Sequence, residues 1–385
     1  MKNGEIFILH SSLIILNSEF TMSVALYVHL PFCRVHCTYC PFVISTDISQ
    51  QERYVEALLA EIGRKGTGQR VESIYFGGGT PSRTSIENLR RIVAAIRDHF
   101  DVAGDAEFSM EANPEDINAS SIGDWQALGV NRLSIGVQSF NDDELSPLHR
   151  VHTASRAHEA VSLAITSGIR VSLDLILGLP HQTEATFEST LEQAMAAGTG
   201  HISLYMLDLE ERTTLSTLVE LGRVTIPDDD IVASLYVRAV EMLGRAGFRQ
   251  YEISNFARPG EECRHNLRYW TGGDYLGLGV GAHSFAESRR FANTRNIRTY
   301  IDAGGDSVEF SETIGEAEAR RERLFLRLRQ TSGINYDELQ RLCGQEGREW
   351  VERGLRDGWL RQSGEQVAFT PSGFLLSNDF ISQLF

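Results

Sequence analysis

A partial (β/α)6 barrel of parallel strands, followed by a small winged-helix-like unit, is the α/β architecture that the sequence predicts. Two observations carry this expectation. From residue 24 to about residue 207, short apolar runs alternate with amphipathic stretches, and after about Phe310 the alternation gives way to consecutive helical patterns. With 385 residues, 42% hydrophobic and 23% charged, the chain can bury a large core, and its length suits one large domain and a small one.

The strand-like runs fall at 25–30, 73–76, 107–111, 132–137, 171–177 and 201–207. Helical patterns at 52–63, 85–99, 117–128, 154–166 and 183–196 lie between them, each ending near a glycine or a polar turn. Six βα repeats imply a parallel sheet. Right-handed crossovers curl such a sheet, and its working residues collect at the C-terminal strand ends.

The expected division is an N-terminal extension at 1–21, a barrel over 22–250, a connecting segment over 251–310 and a terminal unit over 311–385. Residues 6–16 are apolar, yet His10, Ser11 and Ser12 interrupt them and no small-x-small cleavage site follows. The run is too short to span a bilayer, so no transmembrane segment is expected. Residues 1–21 read as an unstructured extension, with Met22 a candidate true start.

The terminal unit is expected to hold helices at 314–329, 336–343 and 346–354 and a hairpin at 359–361 and 366–369, with Cys343 as a buried hydrophobe. Glu312, Glu316, Glu318 and Glu322 interleave with its arginines, which argues for a cover or a docking surface rather than DNA binding. A net charge of −16 likewise argues against nucleic acid or an anionic membrane as the main partner.

Directly after the first strand-like run come Cys33, Cys37 and Cys40. Three thiolates on one short loop can hold three irons of a [4Fe–4S] cube and leave the fourth iron open to a small molecule. A zinc site closed by His29 or His36 is the competing reading. Five cysteines, an odd number, suit a reducing cytoplasm better than a disulfide framework.

The turn Gly77-Gly78-Gly79-Thr80-Pro81, Glu111, Gln138 and the turn Gly178-Leu179-Pro180 fall at expected strand ends, while Asp174 lies inside an apolar strand. A carboxylate so placed needs a partner. Taken singly, these are a tight turn, helix-capping groups at Glu111 and Asn113, and a core amide. In this order behind a three-cysteine loop they read together as a site.

Cys-x-x-x-Cys-x-x-Cys with Tyr39 before the last cysteine resembles the signature of the radical S-adenosylmethionine (SAM) superfamily. The ordered set Tyr27-x-His29-x-Pro31-Phe32-Cys33, the triple-glycine turn, Glu111-Ala112-Asn113-Pro114, Ser134 to Phe140, Arg150 and Asp174 to Pro180 resembles, more narrowly, the oxygen-independent coproporphyrinogen III oxidase family. That resemblance extends over nearly the whole chain from Val24. It implies a radical SAM barrel with a [4Fe–4S] cluster on Cys33, Cys37 and Cys40. SAM would lie with its amino group at Gly78, Gly79, Thr80 and Glu111, its carboxylate at Arg150 and its ribose at Gln138 and Asp174. Tyr27 would pack beside cluster and SAM.

Oxidases of that family continue Cys-x-x-Cys-x-Cys and carry a long N-terminal arm. Here Phe42 stands at the last of those positions and no room exists for the arm, which resembles the family's heme-handling branch, although Thr38 and Pro41 depart from its usual residues. A second signature, Cys263-Arg264-His265-Asn266-Leu267-Arg268-Tyr269-Trp270, implies heme binding with His265 as the candidate residue; a packed turn is the alternative. Gly277, Gly279 and Gly281 lack a preceding strand pattern and read as a close-packed turn rather than a dinucleotide fingerprint. The resemblance implies a heme chaperone that hands heme to an acceptor such as a respiratory hemoprotein and takes electrons from a donor for the cluster. Its alternatives are SAM-dependent oxidative decarboxylation of coproporphyrinogen III and, less favoured, a radical methylase.

Overall fold

The computed structural model describes residues 23–384. The expected extension at 1–21, and Met22, lie outside them. Six strands, β1 (Val24–Leu30), β2 (Arg70–Gly78), β3 (Asp101–Ala112), β4 (Arg132–Gln138), β5 (Arg170–Leu177) and β6 (His201–Met206), pair in chain order, all parallel. Helices Gln51–Lys65, Ile86–His99, Ala119–Leu128, Ala154–Thr166 and Glu184–Ala196 make the crossovers. Ser85, Asn118, Thr153 and Thr183 cap four of them, each accepting a bond from a backbone N–H in the first turn.

The expected elements are present; β2 and β3 are longer than the apolar runs suggested, and β6 ends one residue earlier. β2 begins at Arg70 and β3 at Asp101, because their first residues pair with each other while remaining partly exposed. β1, by contrast, is buried at every position except Tyr27.

Residues 251–310 do not form a separate connection. The boundary expected at 250 falls inside β7 (Arg249–Glu252), which forms an antiparallel hairpin with β8 (Asn255–Ala257) on the β6 edge. At the other edge β9 (Tyr275–Leu278) lies parallel to β1, followed by antiparallel β10 (His283–Ala286), β11 (Arg289–Asn293) and β12 (Val308–Thr313). The result is one twelve-stranded open sheet with β12 and β7 at its ends. Gly277 therefore sits in a strand; Gly279 and Gly281, at φ +101 and +67, form the turn after it.

The terminal unit packs helices Glu316–Leu328 and Tyr336–Arg356 against a sheet of β13 (Ile334–Asn335), β14 (Leu360–Ser363) and β15 (Gln366–Phe369). The two helices expected at 336–343 and 346–354 meet at a break at Gly344, which is non-helical at φ 59 and ψ −137, within the segment Tyr336–Arg356. Trp350 centres this core, stacked on Phe380 at 4.5 Å. Cys343 is only partly buried, at its margin. No helix among the described residues is long and apolar enough to cross a membrane.

Helix Arg264–Trp270 closes the N-terminal end of the barrel. Glu107 accepts from the His265 backbone N–H (3.0 Å) and the Cys263 thiol (3.3 Å), which anchors the start of the helix. The His265 ring bonds Ser73 Oγ at 3.0 Å and Tyr269 Oη at 2.9 Å and lies against Tyr75 at 5.2 Å. Burial pushes its pKa down to about 3, so it is neutral. Asn266 donates to Tyr251 and Glu252, both at 3.3 Å.

The far end of this helix meets the terminal unit. Gln330 donates to the Trp270 carbonyl at 2.9 Å, and backbone bonds join Ile253 to Arg329 and Thr331 to Tyr251, each at 3.1 Å. Replacing His265 by Ala removes two buried hydrogen bonds and a packed ring, at a cost of about 2–4 kcal/mol. Denaturant unfolding with the slope m unchanged checks that expectation.

Candidate functional site

At the opposite, C-terminal end of the strands the chain leaves β1 through the cysteine loop. Backbone bonds seat that loop: Ser45 N–H to Pro31 O (2.7 Å), Cys33 N–H to Ser45 O (2.9 Å), Gly79 N–H to Leu30 O (3.0 Å) and Thr80 N–H to Phe32 O (3.1 Å). A cavity of about 500 Å³ opens above. Cys33, Cys37, Cys40, Gly78, Gly79, Thr80, Glu111, Gln138, Arg150 and Asp174 all line it.

Two expected residues lie elsewhere. Tyr27 and His265 line a smaller chamber of about 200 Å³ below, which shares Tyr75, Ser134 and Tyr205 with the upper cavity. The Tyr27 ring stacks on Tyr75 at 6.2 Å. His265 is 2% exposed with both ring nitrogens hydrogen-bonded, so neither is open to a metal in this arrangement. Its signature segment builds the barrel floor.

The glycines of the β2 turn answer first to the protein itself. Gly78 has φ +108, and a Cβ there would lie 2.5 Å from the His29 ring; one on Gly79 would lie 2.6 Å from the Pro31 carbonyl carbon. No side chain fits between these strand ends. Gln138, at φ 66, is a non-glycine residue held in the left-handed region at the end of β4.

Glu111, Asp174 and Arg150 lie deep in the cavity, whose wall also carries Glu115, Asp208 and Glu210. Glu111 accepts from Tyr75 Oη (3.0 Å) and Gly78 N–H (3.1 Å). Desolvation and then the charge of Asp174 push it up to about 7. Asp174 accepts from Ser134 Oγ at 3.0 Å, and desolvation pushes it up to about 6. The chain turns at His149 (φ 56), and Arg150 then donates to Asn113 Oδ1 (2.7 Å), Gly136 O (2.8 Å) and Cys37 Sγ (3.7 Å). Arg150 is thus part of the site rather than a surface residue.

By ligand type and number the donor set fits an open [4Fe–4S] cluster, although among the described residues no three ligating side chains are already gathered around one metal position. Three free thiols from one loop face one cavity, with Thr80 Oγ1 donating to Cys33 Sγ at 3.3 Å. Of the two histidines of the zinc alternative, His29 bonds Tyr27 Oη (3.3 Å) and Val43 O (2.9 Å) through its two ring nitrogens, while His36 stays on the cavity wall with Nε2 3.3 Å from the Cys40 carbonyl. Cys263 is committed to Glu107 at the floor. Arg150 Nε is sealed from solvent without a hydrogen-bond partner, an orphaned buried donor beside the thiols.

Asn113 and Ser134, which the motifs contained without an assigned role, and Tyr75 and Tyr205, which the sequence reading missed, also line the cavity. Ser134 and Tyr75 carry a period-two signal, since they alternate with apolar neighbours on strands whose other face is core. Asn113 precedes a 3₁₀ turn, but its side chain makes no capping bond.

The fold and the three-thiol loop define a radical SAM protein, and the model of the Radical SAM superfamily matches residues 27–194. The solved coproporphyrinogen III oxidase (HemN) from Escherichia coli superposes with a TM-score of 0.82 at 22% identity, covering 95% of this chain and 91% of that one. The heme chaperone HemW of Synechocystis sp. is 35% identical over 95% of this chain and 97% of its own. That of Mycobacterium tuberculosis H37Rv is 38% identical over 93% and 94%, and that of Escherichia coli K12 is 33% identical over 93% and 97%. The chain belongs to the HemW family of radical SAM proteins.

Anaerobic reconstitution should give about four irons and four sulfides per chain. Serine at Cys33, Cys37 or Cys40 abolishes that content, whereas serine at Cys263 or Cys343 leaves it near wild type. Iron and sulfide analysis decides the assignment.

Proposed function

We propose that the chain is a heme chaperone that holds a [4Fe–4S] cluster, SAM and heme and passes heme to an acceptor hemoprotein, with a reducing partner for the cluster. The observation that carries this reading is the run of relatives named heme chaperone HemW, 31–38% identical over more than nine-tenths of the chain. Phe42 supports it. It occupies the position where the resembled oxidases place a further cysteine, and it stands 63% exposed on the cavity wall. Val35, Val151 and Met206 are further exposed apolar groups lining that cavity, a surface suited to a flat apolar macrocycle. Five free thiols fit a reducing cytoplasm.

In this reading Cys33, Cys37 and Cys40 hold the cluster, which supplies an open coordination position and an electron. Glu111 and the Gly78, Gly79 and Thr80 segment receive the SAM amino group. Arg150 receives its carboxylate. Gln138 and Asp174 take the ribose hydroxyls, and Tyr27 supports the site from below through its stacking on Tyr75. Heme ligation by His265 would require helix Arg264–Trp270 to leave the barrel floor.

Glu111 at about 7 gives SAM binding a pH dependence. Protonation removes the negative charge and acceptor capacity that a sulfonium and an amino group favour, so affinity falls as pH drops through 7. Glu111→Gln should weaken binding roughly tenfold at high pH and flatten the profile, as isothermal calorimetry would show.

Anaerobic heme titration separates the chaperone reading from decarboxylation. The purified protein should bind heme, seen as a shifted Soret band. With SAM and a reductant it should form no protoporphyrinogen from coproporphyrinogen. SAM-dependent turnover to protoporphyrinogen overturns the chaperone reading even if heme also binds.

A further inference from the structure

Five side chains, joined by four hydrogen bonds, form one chain around the cysteine loop. Arg150 donates through one terminal nitrogen to Cys37 Sγ (3.7 Å) and through the other to Asn113 Oδ1 (2.7 Å). Asn113 Nδ2 donates to Thr80 Oγ1 (3.2 Å), and the Thr80 hydroxyl donates to Cys33 Sγ (3.3 Å). Every link is compatible with the next. The amide of Asn113 has its oxygen on the guanidinium and its nitrogen on the hydroxyl, and that nitrogen leaves Thr80 with its proton free for sulfur.

The surroundings fit this arrangement. A Cβ on Gly136 would lie 3.3 Å from both the Arg150 and the Asn113 contact atoms, so a glycine clears the space they share. The Gly136 carbonyl takes a second bond from Arg150 at 2.8 Å. Thr80 is 3% exposed, and Asn113 makes no capping bond although it sits at the start of a 3₁₀ turn. Its polar atoms are committed to the two groups that touch thiols.

We propose that Asn113 is a positioning residue that aims Arg150 and Thr80 at two of the three cluster thiolates, and that this clamp sets the cluster's reduction potential. Hydrogen bonds to ligand sulfur withdraw electron density, and a nearby cation does the same. Both favour the reduced cluster, which carries one more negative charge. The step at issue is the uptake of one electron from an external reductant by the oxidised cube, with no bond made or broken in the clamp. It rests on the cluster of the radical SAM class and not on heme, so a protein that binds no heme would still display it.

The test is a redox titration of the reconstituted holoprotein without SAM, with dithionite as reductant and the reduced cluster followed by electron paramagnetic resonance. Omitting SAM separates the clamp from any role of Thr80 or Arg150 in binding it. Thr80→Val and Asn113→Leu should each make the cluster about tenfold harder to reduce, a fall of about 59 mV for a one-electron couple. Thr80→Ser, which keeps the hydroxyl, should stay at the wild-type potential. The double variant Thr80→Val/Asn113→Leu should fall by less than the two single shifts added, because both cut one chain. Potentials for Thr80→Val and Asn113→Leu equal to wild type overturn the proposal. So does loss of iron from both, since that would make the clamp a scaffold for the cluster rather than a control on its potential.

Discussion

Everything at the working end of this barrel depends on how closely the ends of β1 and β2 approach each other. His29 fills the space a Gly78 side chain would need, and its backbone oxygen lies 2.6 Å from where a Cβ on Gly279 would stand. Tyr54 donates to that same oxygen at 2.7 Å and accepts from Val280 N–H at 3.1 Å. One histidine is thus wedged between the β2 turn, the crossover helix and the turn after β9. Glu61 completes the wedge as a buried carboxylate that takes bonds from Gly279 N–H (2.8 Å), Asn293 (2.6 Å) and Tyr300 (2.6 Å) and pairs with Lys65 at 2.7 Å. A buried charge is tolerable because its acceptor sites are filled. The cysteine loop springs from this rigid base, so three flexible thiols start from one fixed geometry.

Above that base, the cavity is divided by chemistry. Its cysteine side is soft and carries the cationic Arg150, while the strand side holds two carboxylates whose proton affinities burial has raised. A molecule with a carboxylate at one end and a positive centre near its middle meets complementary charge at both places. The rim beyond is apolar. Polar recognition inside and apolar contact outside are what a site needs if it is to hold one small polar molecule and also meet a flat hydrophobic one.

The alternating pattern made the parallel core legible, because each strand buries a nearly continuous apolar run between helices with their own caps. The cluster cysteines were legible because a single loop carries them. Arg150 was less so: a loop-like neighbourhood hid a guanidinium that the left-handed turn at His149 carries into the site. The floor was illegible for a different reason. His265 meets Ser73 and Glu107 across more than 150 residues of chain, and β9 finds β1 across a still longer interval, so no local period reports either contact. Asn113 was legible only through its company, because asparagine before a short helical turn is by itself an ordinary cap.

The helix that closes the barrel also has a thermodynamic consequence. Its first residues are held by strands β2 and β3, and its last carbonyl is held by Gln330 of the terminal unit, so neither body owns it. Melting the terminal unit strips a bond from the floor, and loosening the floor unseats the surface on which that unit rests. Local opening of either body thus costs the other a contact, which couples the stability of the barrel floor to that of a unit far from the cavity.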